Sequence, residues 1–276
     1  MPLDRRRPTR KRLRPGPEVC HPRVGKTRPS SGCFPIQIRR RLTQRGHSTK
    51  GGKICKDMSN DRCMLESSSL TGVEKEALAK TYLRPKRPSE WASDPDQWLD
   101  SNNIADVMKQ YEEAYKDFKF LGVLSIDFAA PDPYNKSNGE KCLVNSICEM
   151  KLSDLKKSGI NRLGAVINLD PHFKSGSHWV GLFIDLRANV KKVYYFDSYG
   201  IKPPQQIAIL MRSLTLQDPK LILEYNARRF QYEGSECGMY SLYFIITMLD
   251  GGNFAELCHN PIPDKEMLNF RHWIFS

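Results

Sequence analysis

The chain has 276 residues, 39% of them hydrophobic and 10% aromatic, enough for one good-sized domain or two small ones. Its net charge of +12 is uneven: 17 of the 43 Lys and Arg residues, but only Asp4 and Glu18 of the 31 acidic ones, lie in residues 1–56, leaving that segment at +15 and the rest at −3. No run approaches the ~20 apolar residues of a membrane span, no apolar stretch follows the basic start as in a secretory signal, and the eight cysteines lack CxxC spacing, which argues against zinc ribbons and for thiols in a reducing compartment.

Residues 1–69 read as a basic, Pro-rich, disordered arm. Arg5-Arg6-Arg7 and Arg10-Lys11-Arg12 alternate with prolines, and apolar residues are too sparse to repay the entropy of folding. Residues 1–56 are a candidate contact for nucleic-acid phosphates, without the interleaved aromatics that stack on bases. Lys50-Gly51-Gly52-Lys53 lies within the arm.

Residues 70–121 read as a helical region. Thr71-Gly72-Val73-Glu74 has capping-box form. After a turn-rich connector through Trp91, an amphipathic helix is predicted with Ser101 or Asn102 as cap. Ile104, Val107, Met108, Tyr111, Tyr115 and Phe118 form its apolar stripe.

Residues 122–276 switch to short β-like runs. Strands are predicted at 123–128, 164–169, 178–186, 192–198 and 221–226, joined in the middle by short loops that favour antiparallel pairing. Residues 143–150 fit a short helix or a strand equally well. Pro203-Pro204 opens a helix, residues 239–250 form a buried central helix ended by Gly251-Gly252, and Asp264 caps a terminal one with Met267, Leu268 and Trp273 inward. The expected class is α+β: a central, mostly antiparallel sheet flanked by helices.

Four residues converge on one chemistry. Cys237 stands where the irregular loop Gln231–Glu236 meets the central helix, a position where unpaired N–H groups favour an anion. His178 opens one strand and Asp197 ends the next, the arrangement in which a carboxylate orients an imidazole toward a thiol. Gln231 offers an amide beside the backbone N–H of Cys237 for an oxyanion. Taken singly, each has a plainer reading: a small buried hydrophobe, a core histidine, a turn aspartate. Their joint placement favours a thiol nucleophile.

The order His178-Trp179, Asp197-Ser198 and Gln231-x-x-Gly234-x-Glu236-Cys237-Gly238 resembles the Ulp1/adenain-like cysteine peptidases of clan CE. Gly176-x-His178-Trp179-Val180, Tyr240-Ser241 and Met267-x-x-Phe270-Arg271 resemble in particular the African swine fever virus-type maturation proteases of large DNA viruses. The resemblance runs from about Trp98 to Ser276 and makes residues 122–276 a papain-like, adenain-like peptidase core with the cysteine at the start of a buried helix. It implies His178 as base, Asp197 as orienting acid, Gln231 as oxyanion donor, Cys237 as nucleophile and Trp179 as a substrate-binding wall. It implies no metal or organic cofactor. It also implies a protein substrate cut after Gly-Gly-type sequences, with maturation of viral core or capsid polyproteins in the virion and infected-cell cytoplasm. Asp197 departs from the asparagine of that viral type and follows the cellular pattern, so deconjugation of a ubiquitin-like (SUMO-type) protein, in the nucleus, is a second expectation. A nucleic-acid-binding virion protein with an inactive peptidase-like domain is a third. Self-processing after Gly52 is a local corollary.

Overall fold

A computed structural model describes residues 20–24, 32–44, 55, 57, 59–132 and 142–276. Most of the basic segment, with Lys50-Gly51-Gly52-Lys53, lies outside the described residues.

The architecture is three-layered. Five strands, β1 (Phe118–Ser125), β2 (Arg162–Asn168), β3 (Trp179–Asp185), β4 (Lys192–Phe196) and β5 (Ile222–Tyr225), lie side by side in chain order. β2, β3 and β4 are antiparallel, as their short connections require, whereas β1 runs parallel to β2 and β5 parallel to β4. The expected mostly antiparallel sheet is therefore a mixed one with parallel edges. The reason lies in the connections: 36 residues separate β1 from β2, and the helix α7 (Gln205–Gln217) separates β4 from β5, so both are crossovers.

Alternation along the strands sorts the core. Leu163, Ala165, Ile167, Val180, Leu182, Ile184, Val193 and Tyr195 face α7 and the short helices α5 (Asn145–Cys148) and α6 (Leu152–Lys157). Phe118, Val166, Trp179, Phe183, Tyr194 and Phe196 face the other layer: α4 (Ser101–Ala114), α8 (Cys237–Leu249), α9 (Phe254–His259) and α10 (Asp264–Ile274). With both faces covered, β2 and β3 are buried at every position, which is why they read as continuous apolar runs.

Helix ends follow local chemistry, in places one residue from where the sequence points. The capping box at Thr71 opens α3 (Gly72–Tyr82) as predicted. α4 is capped by Asp100, which accepts from the Asn103 N–H at 2.7 Å, rather than by Ser101 or Asn102. It ends at Ala114, so Phe118 continues the stripe in appearance only and instead opens β1. The helical region thus stops short of residue 121. Pro263, not Asp264, is the cap position of α10, leaving the Asp264 carboxylate free for other contacts.

The described parts of residues 20–69 depart from the expected disordered arm. α1 (Ile36–Gln44) and α2 (Asp61–Ser67) form there, and Cys20, Cys33, Phe34, Leu42, Met64, Leu65, Leu70 and Leu83 build a small separate core. Local sparsity misleads because apolar residues are pooled from several segments and from α3. Two disulfides, Cys20–Cys33 and Cys55–Cys63, also restrict the unfolded chain. A third joins Cys142 to Cys148, so six of the eight cysteines are bonded and the expected set of free thiols is reduced to Cys237 and Cys258. This small core docks on α4: Gln110 donates to the Leu83 carbonyl at 2.9 Å, Arg84 to the Tyr111 hydroxyl at 3.1 Å, and His21 lies 3.3 Å from Glu113.

The distance between α8 and the sheet is set by glycine. A Cβ on Gly181 in β3 would stand 2.6 Å from Phe244 Cδ1, and one on Gly164 in β2 would stand 3.2 Å from Ile245 Cγ2. Gly181→Ala is therefore expected to lower unfolding stability by about 1–3 kcal/mol through overpacking, read from urea denaturation midpoints.

Candidate active site

Antiparallel pairing of β3 and β4 sets Gly181 opposite Phe196, which carries the residue before β3, His178, toward the residue after β4, Asp197. His178 Nε2 lies 2.7 Å from Asp197 Oδ1. His178 is 8% exposed and Asp197 fully buried. Cys237, 2% exposed, is the first residue of α8, and it acts on the imidazole closely enough to help raise its pKa. With Nε2 committed to Asp197, Nδ1 is the nitrogen left for the thiol. Burial alone pulls the His178 pKa down. The hydrogen bonds to Asp197 and Cys237, with their negative charge, outweigh it and raise the pKa to about 9.

Each member is held by neighbours that the sequence does not announce. Asn226, just after β5, clamps the Asp197 backbone: its Oδ1 accepts from the Asp197 N–H at 2.8 Å and its Nδ2 donates to the Asp197 carbonyl at 2.6 Å. The Tyr199 N–H donates to Asp197 Oδ1 at 2.8 Å, while its ring stacks on His178 with centroids 4.5 Å apart and planes 13° from parallel. Arg229 lies over the outer side of Tyr199 at 5.3 Å.

Gln231 is fully buried. Its Oε1 accepts from the Ser198 hydroxyl at 2.7 Å and its Nε2 donates to the Glu233 carbonyl at 2.7 Å, which fixes the amide and leaves one N–H unassigned. The loop that follows is tied to α10, where Asp264 Oδ2 accepts from the N–H groups of Tyr232 and Glu233 at 2.9 and 3.2 Å. Glu236, immediately before the thiol, pairs with Arg271 at 2.7 Å, both side chains all but inaccessible. Arg271 also donates to the Gln97 carbonyl at 2.6 Å and lies over the Trp91 ring at 4.6 Å. Burial pushes the Glu236 carboxyl up, against the pull of Arg271. α10 also carries Asp264, Lys265, Glu266, Asn269 and His272, so its composition does not single out Arg271 as the partner of a buried carboxylate.

Trp179 is buried, and its Nε1 donates to the Leu99 carbonyl at 3.0 Å. Gly238 fits beneath this pair: a Cβ there would meet Leu99 Cβ at 3.0 Å and Trp179 Cδ1 at 3.3 Å. The two residues border a cleft of about 420 Å³ that is also lined by Trp98, Ser125, Asn168 and Gly176. Asn168 shapes its rim, accepting from the Asp170 N–H at 2.9 Å. Gly176, at φ +92°, leaves no room for a side chain against that amide.

The structure thus brings together His178, Asp197 and Cys237, with Gln231 in the adjoining loop and Trp179 on the cleft wall. The remaining free thiol, Cys258, is driven by burial up to about 11. His172 pairs with Asp127 at 2.7 Å. No group of three or more His, Cys, Asp or Glu is placed to hold a metal ion among the described residues.

Residues 164–275 match the Ulp1 protease family, C-terminal catalytic domain. The chain is 31% identical over 237 residues to a thiol protease of Acanthamoeba polyphaga mimivirus, covering 81% of this chain and 70% of that protein. It is 33% identical over 183 residues to a SUMO-1 cysteine protease of African swine fever virus, covering 64% of this chain and 67% of that one. The crystal structure of the African swine fever virus protease superposes with a TM-score of 0.69 over 95% of this chain and 96% of that one; at 21% identity this speaks to fold alone.

Two measurements check the geometry. Because the folded state holds His178 near 9 rather than 6.5, its pairing is expected to stabilise the protein fully below about pH 6.5 and to be lost as pH rises through 9. NMR titration of the ring should find the raised pKa in wild type and a fall in Asp197→Asn. Asn226→Ala, which strips buried partners from the Asp197 backbone, is expected to cost roughly 1–3 kcal/mol in thermal unfolding.

Proposed function

The chain belongs to the Ulp1 protease family and is a cysteine protease, and on that premise we propose that Cys237 is its nucleophile, His178 its acid and base, Asp197 the residue that orients His178, and Gln231 an oxyanion donor. The observation that carries this reading is the 2.7 Å contact between His178 Nε2 and Asp197, which leaves Nδ1 for Cys237, the first residue of α8 and a second cause of the raised His178 pKa.

Acylation begins with the Cys237 thiolate attacking the scissile carbonyl carbon, sulfur–carbon bond formation placing the negative charge on oxygen. The Cys237 N–H and the remaining Gln231 amide N–H receive that oxyanion. Its collapse breaks the carbon–nitrogen bond, and protonated His178 gives its Nδ1 proton to the leaving amine. A water then attacks the thioester while His178 takes its proton. The acid product departs, and the thiolate and imidazolium are restored. Asp197 keeps the ring in one orientation throughout and holds its second proton on Nε2.

The substrate in this proposal is a protein cut after Gly-Gly-type sequences. Support comes from the cleft beside Trp179, walled by two indoles, Leu99 and Gly176, which suits residues without side chains. That these relatives come from viruses supports a viral setting, and within it the proposal is maturation of core or capsid polyproteins in the virion and infected-cell cytoplasm. The basic residues 1–56 would concentrate the enzyme on packaged nucleic acid. A second reading, cleavage of a ubiquitin-like conjugate, is favoured by the SUMO-1 cysteine protease among the relatives.

Cys237→Ala is expected to abolish peptide cleavage and labelling by an electrophilic thiol probe, while Gln231→Ala lowers kcat by about 10²–10³-fold with little change in KM. Wild-type labelling of Cys237 no faster than of Cys258 would remove the peptidase assignment. Short Gly-Gly-Xaa peptides and ubiquitin-like fusions, assayed side by side, separate the two substrate readings. Cleavage confined to the fusions would displace polyprotein maturation.

A further inference from the structure

The strands end in an order that gives a bound chain a direction. Ser125, Asn168, Trp179, Phe196 and Tyr225 share one edge of the sheet, running from β1 to β5. The cleft at Trp179 lies toward β1 and β2, among Ser125, Asn168 and Gly176. On the other side of His178 stand the segments that follow β4 and β5, which carry Tyr199, Arg229 and Tyr232. A chain whose glycines occupy the cleft therefore passes His178 and runs toward Arg229 with the residues that follow its scissile bond.

Arg229 is exposed, yet it is held in place. Its Cζ lies 5.3 Å from the centre of the Tyr199 ring and 4.8 Å from that of Tyr232, and its Nε donates to the Gln231 carbonyl at 2.6 Å. The backbone that carries it is fixed as well. Gly200, at φ +73°, lies so close that a Cβ would stand 2.6 Å from the Arg228 carbonyl carbon, and the Phe230 N–H donates to the Ser198 carbonyl at 2.8 Å. Nη1 and Nη2 are unspent, and no carboxylate pairs with the guanidinium among the described residues. The surrounding acids are placed otherwise. Asp264 receives the N–H groups of Tyr232 and Glu233 and, at 3.0 Å, the Tyr240 hydroxyl; Glu224 pairs with Lys192 at 2.6 Å; Glu233 is exposed and forms no ion pair. A guanidinium clasped by two rings has already lost much of its side-chain freedom and keeps its in-plane donors, and the group that matches such a fork is a carboxylate.

We propose that Arg229, steadied by Tyr199 and Tyr232, is a specificity-determining residue that receives an aspartate or glutamate among the first three residues after the scissile bond. The Tyr199 ring is stacked on His178 at 4.5 Å, so Arg229 Cζ stands at most about 10 Å from the imidazole, the span of roughly three extended residues. The inference rests on Cys237 and His178 as the reacting pair and on the Trp179 cleft as the seat of the Gly-Gly residues.

The test uses the full chain and peptides in which Gly-Gly is followed by three residues, one of them Asp, its uncharged isostere Asn, or Lys. In wild type, kcat/KM is expected to be about fivefold higher with Asp than with Asn at the preferred position, and lowest with Lys, the preference shrinking at high salt. The readout is the ratio between peptides within each variant, which a general loss of activity does not move. Arg229→Gln should erase the difference between Asp and Asn, and Arg229→Glu should turn the preference toward Lys. Equal cleavage of Asp and Asn peptides by wild type, or a preference for Asp that survives in Arg229→Gln, overturns the subsite. If none of the peptides is cut, the peptidase reading fails, and fluorescence polarisation with Cys237→Ala decides the subsite by itself. Tighter binding of the Asp peptide that is lost on adding Arg229→Gln upholds it; absent or equal binding of the Asp and Asn peptides overturns it.

Discussion

Everything at the candidate active site depends on how deeply α8 sits against β3. The helix and the strand carry different parts of the site, one beginning with the thiol and the other beginning beside the imidazole, and no covalent connection shorter than 50 residues joins them. Their separation is fixed by contact. Gly181 lets Phe244 lie directly on the strand, and Gly238 lets the first turn slide under Leu99 and Trp179. A Cβ at either place would stand 2.6 to 3.0 Å from its neighbour, closer than packed atoms come, so helix or neighbour would have to shift. Catalytic geometry tolerates little of that.

A second set of contacts fixes where the helix starts. Glu236 and Arg271 form an ion pair away from solvent, and Arg271 reaches from α10 to the Gln97 carbonyl and the Trp91 ring. Such a pair adds little net stability over apolar packing but is intolerant of losing one partner. Its contribution is directional: it ties the residue before the thiol to the connector that leads into Leu99 and the cleft. The same connector enters α4, which receives the N-terminal core, so the parts distant in sequence meet around one short stretch of chain.

Much of this was legible in the sequence, for reasons that differ by element. The strands were readable because β2 and β3, covered on both faces, contain nothing but apolar side chains over most of their length. His178, Asp197 and Cys237 were readable as candidates because each stands at an end of an element, and Gln231 because it lies in the loop leading to the thiol, where function is displayed on a scaffold. What escaped were pairings between distant segments. Asn226 looks like any residue ending a strand until the Asp197 backbone is placed opposite it. Tyr199 gives no sign that it will lie flat on an imidazole. The parallel edges of the sheet depended on where the crossovers return, and the N-terminal core on apolar residues too dispersed for any local window to count together. The disulfides escaped because spacing alone does not define a pair.

The stacking of Tyr199 on His178 has a consequence for motion. The imidazole is restrained on one face by a phenol ring and along its edge by Asp197, so rotation about its side-chain bonds is opposed from two directions. In a looser site, each reaction cycle would include a search by the ring for its partner. If His178 serves as proposed, the folded state already holds the ring in place, and the search is confined to folding.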